Sequence, residues 1–144
     1  MDQIKAQAIF DVALFGIRQQ GGAAVSPGGN CQFRVLEGTY KGRRCAIGWT
    51  MTDAEIEMAD SWKWPDRIKK GSDEFPLLDD LRTAHNSAAR KPDFFSQWEA
   101  DMKVVAEVHG LRYAPPLDAG FKEFLGRLEK LEREPAVLEA VTLK

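Results

Sequence analysis

Apolar residues recur at three- and four-residue spacing along most of this chain, the period of helices that bury one side. Ile9, Phe10, Val12, Ala13, Leu14 and Ile17 give such a face to a helix over 4–20, which Gly21-Gly22 ends. Thr52-Asp53-Ala54-Glu55 has the capping-box form, a hydroxyl three residues before a carboxylate, and predicts a helix running to about Trp62. Pro65 stops it. Pro76 suits the first turn of the next helix, with Leu77, Leu78, Leu81 and Ala84 inside. Asp93 is placed to cap a helix whose stripe is Phe94, Phe95, Trp98, Met102, Val105 and Val108, ending at Gly110. Asp118 opens another pattern, Phe121, Phe124, Leu125, Leu128 and Leu131, which Pro135 breaks. Val137, Leu138, Val141 and Leu143 predict a last short helix.

The period changes once. In Cys31–Leu36 the residues Cys31, Phe33 and Val35 alternate with Gln32, Arg34 and Leu36. Gly38 to Gly42 supplies turn residues, and Arg44 to Gly48 can return as a second strand, so a hairpin is expected. A lone hairpin is marginal in water and must pack on helices. The expected fold is therefore α+β and mainly helical, with about five helices packed around one short β-hairpin. Neither an internal repeat nor a linker divides residues 1–144, so a single domain is expected.

Composition narrows the classes. A hydrophobic share of 44% with 29% charged residues is that of an ordinary soluble domain. The net charge of −2 argues against a general binder of nucleic acid or membrane surfaces, whose affinity needs an excess of Lys and Arg. Asp2, Lys5 and Asp11 interrupt the apolar residues of the first helix, which is not the pattern of a signal peptide. No apolar run approaches the roughly 20 residues that span a bilayer. A cytoplasmic location with reduced thiols is expected, and no membrane partner.

The block Cys31-Gln32-Phe33-Arg34, followed by Gly42-Arg43-Arg44-Cys45-Ala46-Ile47-Gly48, resembles a family of small uncharacterised proteins from tailed bacteriophages and prophages. In that family a helix precedes a Cys-x-aromatic-Arg segment. A Gly-Arg/Lys-x-Cys-Ala-Val/Ile-Gly segment follows, then an acidic stretch that opens a helix, here Thr52-Asp53-Ala54-Glu55. The resemblance covers Ile9 to Glu57 and departs at Trp49-Thr50-Met51, where shorter aliphatic residues are expected. It implies a phage or prophage origin and no particular reaction.

Several residues carry candidate chemistry. Cys31 and Cys45 have no His, Asp or third Cys at ligand spacing, so they are expected to be small apolar core residues rather than a metal or redox pair. Arg34, Lys41, Arg43 and Arg44 gather on the expected hairpin, either as a solvated strand edge or as a grip on phosphate or an acidic ligand. His85 and His109 lie on expected helices without a nucleophile motif, and a surface or helix-end role is favoured. Asp79-Asp80 and Glu55-Glu57 read as solvated faces, because helix neighbours do not face one another. The glycine-rich stretch 23–30 lacks the Gly-Lys-Ser/Thr ending of a phosphate loop and reads as a flexible connection. Trp62 and Trp64, with Lys63, Arg67, Lys69 and Lys70 around them, have the aromatic-plus-basic make-up of an interface.

These readings make the chain a phage or prophage accessory protein that binds a host protein, non-enzymatic, without cofactor or metal. Trp62, Trp64 and Arg67 would carry the contact. The alternative is a binder of nucleic acid or an anionic small ligand through Arg34, Lys41, Arg43 and Arg44.

Overall fold

The computed structural model describes residues 1–60, 63, 65–115 and 123, without the side chain of Arg67. Among the described residues five helices follow one another: α1 (Gln3–Gln20), α2 (Ala46–Trp49), α3 (Asp53–Asp60), α4 (Phe75–Ala88) and α5 (Phe94–His109), with a 3-10 turn at Asp66–Ile68. The helix expected over 118–131 and the tail helix fall outside the described residues, Glu123 excepted.

α1 is the central helix. Its apolar set is wider than one face, since every residue from Val12 to Ile17 is buried. A helix apolar all round must be surrounded, and α2, α4 and the chain after α5 do this. Asp2 caps its start by accepting from Lys5 N–H (2.8 Å), and Gly21 ends it in the left-handed region (φ 88°). α4 packs on α5, and the fully buried Leu81, Trp98 and Met102 belong to the same core as α1. Asp93 caps α5 through Ser96 N–H (3.1 Å) and Gly110 ends it, both as the pattern predicts. The chain then crosses α1, where the Gln7 side chain pairs with both the N–H (2.8 Å) and the C=O (2.9 Å) of Arg112.

The expected β-hairpin is not formed, and the α+β class is corrected to a helical one. Among the described residues there is no strand, only two isolated bridges, Val25 with Cys31 and Arg34 with Arg44. The two segments do meet. Val35 N–H donates to Arg43 O (2.8 Å) and Cys45 N–H to Phe33 O (3.3 Å). Pairing stops there because Cys45 ends the second segment. Its Sγ accepts from Gly48 N–H (3.3 Å) and caps α2, so Ala46–Trp49 coils instead of extending. All four of those residues are buried, which a one-sided strand cannot achieve. Close approach makes the turn possible. A Cβ on Gly48 would lie 2.0 Å from Phe33 O, and one on Gly16 would lie 2.2 Å from the Trp49 ring.

Candidate functional site

The basic residues of the 31–45 region were candidates for gripping an anion, and most of them face inward. Arg34 Nη1 (2.9 Å) and Arg44 Nη2 (2.6 Å) converge on Asp53 Oδ1 at the start of α3. Arg44 is almost wholly buried and also donates to Met51 O (3.0 Å) and Gly48 O (3.3 Å). Arg43 lies over the Tyr40 ring (4.1 Å) and donates to Ala23 O (3.3 Å). Lys41 is exposed at the loop tip. Three of the four cations therefore hold the chain path together, and Arg34 also lines a recess. Trp62, Trp64 and the Arg67 side chain lie outside the described residues. Lys63 is exposed and Pro65 buried.

The recess is a cleft of about 350 Å³ between the 31–36 segment, α3 and α4. Its walls include Phe33, Cys45 and Ala59, with Gln32, Arg34, Arg82 and Asn86 as its nitrogen-bearing side chains and Asp60 as an acidic member. The volume falls within the range of small-ligand sites. Both cysteines line it, and neither is disulfide-bonded. Burial pushes the Cys45 thiol up to about 11 and raises that of Cys31, whose rise Arg90 opposes. Protonated thiols are poor nucleophiles and poor ligands. Among the described residues no three His, Cys, Asp or Glu gather as a metal site.

The histidines have defined partners. His85, expected near the surface or a helix end, is instead fully buried, edge-on to Phe94 and Trp98. Its Nε2 accepts from Ala24 N–H (3.1 Å), so the proton sits on Nδ1 and is donated to Asn86 Oδ1 (2.9 Å). Burial holds its pKa below the ordinary 6.5. The imidazole thus anchors the 24–31 loop and orients Asn86. That loop is not merely a flexible connection: Ser26 N–H bonds Asn30 O (2.8 Å) and Gln32 N–H bonds Ala24 O (3.1 Å). His109, at the end of α5 as expected, meets Asp80 Oδ2 at 2.7 Å. Ser87 sits two helical turns beyond Asp80, about 10 Å along the axis, too far to complete a catalytic triad. Glu55 is occupied by the capping box, accepting from Thr52 N–H (3.0 Å).

Arg82, Asn86 and Arg90 were not singled out from the sequence, although their four-residue spacing beside the Leu77/Leu81/Ala84 stripe marks one side of a helix. The network of Arg18, Glu99 and Tyr113 was missed too. Arg18 makes two hydrogen bonds to Glu99 (2.9 and 2.7 Å) and ties α1 to α5. No spacing rule links residues 81 positions apart. No protein-family model, curated protein or solved structure matches this chain. Among the described residues no helix is long and apolar enough to cross a membrane.

Proposed function

We propose that this protein acts by binding, and that the cleft between residues 31–36, α3 and α4 takes a small anionic ligand with an apolar body. The observation that carries this reading is the meeting of Arg34 and Arg82 in one cleft with apolar walls. Guanidinium groups suit carboxylate and phosphate, and Phe33, Leu36 and Ala59 suit an apolar remainder. Nucleic acid loses support as the ligand, because the net charge is −2, Arg44 is buried against Asp53 and Arg43 rests on Tyr40.

The test is a thermal-shift and calorimetric screen of carboxylates and monophosphates with apolar tails. At least one should bind, and Arg82→Gln should weaken it about tenfold or more, the worth of a charge-assisted hydrogen bond. Among the described residues Arg82 pairs with Asp79 on the same helix, at the surface, so the variant should keep its fold. A screen without a binder, or a binder indifferent to Arg82→Gln, would overturn the reading.

A second reading is a phage accessory protein that binds a host protein. The resemblance of residues 9–57 supports the phage setting. The exposed Val104 and Val108, one turn apart on α5 beside a groove along α4, supply an apolar surface for a partner. Val104→Lys with Val108→Lys should then abolish capture of one specific host protein. Equal capture by the native chain and the variant would end this reading.

A further inference from the structure

The cleft does not stop at Asn86. A second recess of about 240 Å³ adjoins it, lined by Val25, Asn30, Cys31, Ala89 and Arg90 among others, and Cys31 and Asn86 line both. α4 arranges the polar groups along this path. Arg82 and Asn86 are one turn apart on one side of the helix. Arg90 follows just past its end, where Arg90 N–H still bonds Ser87 O (3.3 Å). Eight residues at helical rise separate the Arg82 and Arg90 backbones by about 12 Å along the axis. Arg90 is exposed and forms no ion pair among the described residues. Its charge nevertheless reaches the half-buried Cys31 thiol. Between the two cations the lining is mixed, with Val25, Cys31 and Ala89 as apolar members and Asn30, Gln32 and Asn86 as polar ones. His85 holds Asn86 Oδ1, which leaves the Asn86 Nδ2 hydrogens to face a ligand.

Resting on the reading above, we propose that the two recesses form one elongated site for a ligand with a carboxylate at each end of an apolar chain. One carboxylate meets Arg34 and Arg82, the chain crosses Cys31 and Ala89, and the other carboxylate meets Arg90. A monoanion uses only the first end.

Isothermal calorimetry of the full chain with butanedioate, hexanedioate and decanedioate, and with decanoate as the one-ended control, tests this. Decanedioate, the longest of the three, spans about 11 Å when extended, comparable with the about 12 Å of helical rise between the two backbone positions. It should bind most tightly of the diacids and about tenfold tighter than decanoate. Arg90→Gln should bring the ratio of decanedioate to decanoate affinity down to near one. Arg82→Gln should weaken both. Equal binding of decanedioate and decanoate by the native protein, or a ratio untouched by Arg90→Gln, overturns the two-ended site and leaves the single-anion reading standing. If neither compound binds and the wider screen is empty, both fall.

Discussion

Arg43 and Arg44 are neighbours in sequence and opposites in role. Arg44 is buried and bonds two backbone carbonyls and Asp53, so its removal leaves those acceptors desolvated and without their donor. Arg44→Met should cost about 3 kcal/mol by urea denaturation. Arg43→Ala loses one cation–π contact and one long hydrogen bond and should cost about 1 kcal/mol or less. Equal costs would contradict the inward placement of Arg44. His85 predicts a pH effect. Its folded pKa is lowered by burial, so the unfolded chain takes up the proton first as pH falls below 6.5. The stability this group contributes is complete above that value and declines as pH falls through the folded one. His85→Gln keeps an acceptor for Ala24 N–H and removes the titration. The variant should be less stable at neutral pH, with a shallower loss between about pH 7 and 5 than the native chain. Parallel curves would exclude His85 as the source.

At the scale of elements, α2 is the piece on which the 31–53 region turns. Its single turn is held by Cys45 as cap and by the bare faces of Gly48 and Gly16. Gly48→Ala sets a methyl against backbone, which cannot swing aside, and should cost about 3 kcal/mol. Thr52→Ala removes only half of the α3 capping box and should cost about 1 kcal/mol. Chemical denaturation of both variants checks the ordering. The thiols should differ in the same way. Cys45 is buried and caps a helix, whereas Cys31 is half-exposed, so Cys45→Ala should be the more damaging of the two. Helices α1, α4 and α5 were legible because each combines a 3.6-residue stripe with an end signal such as Gly21, Pro76, Asp93 or Gly110. α2 was not, because one turn is too short to show a period. Its run Cys45-Ala46-Ile47-Gly48 could be taken for the returning strand of a hairpin.

At the scale of the whole molecule, a net charge of −2 combines with arginines turned toward Asp53 and Tyr40. The native protein should therefore give no salt-sensitive retardation of DNA or RNA at low ionic strength. A clear shift that salt abolishes would restore nucleic acid as a ligand. The candidate cleft was only partly legible. Arg34 could be chosen from its setting beside Cys31 and Phe33. Arg82 and Asn86 could not, because nothing local says which side of α4 the 31–36 segment will approach.

The sequence by itself determined where most helices start and stop and which residues they bury. Those properties follow from local caps and from the period of apolar side chains, which act within a few residues. Tertiary structure alone decided that Cys45 begins a helix rather than extending a strand, and that Arg44 and His85 lie inside. It also joined Arg82 and Asn86 with Phe33 in one cleft. Each of these depends on groups distant in the chain: Phe33 O against Gly48, Asp53 beside two arginines, Ala24 N–H on His85. The energy of a buried polar group depends on a partner that only the completed fold supplies.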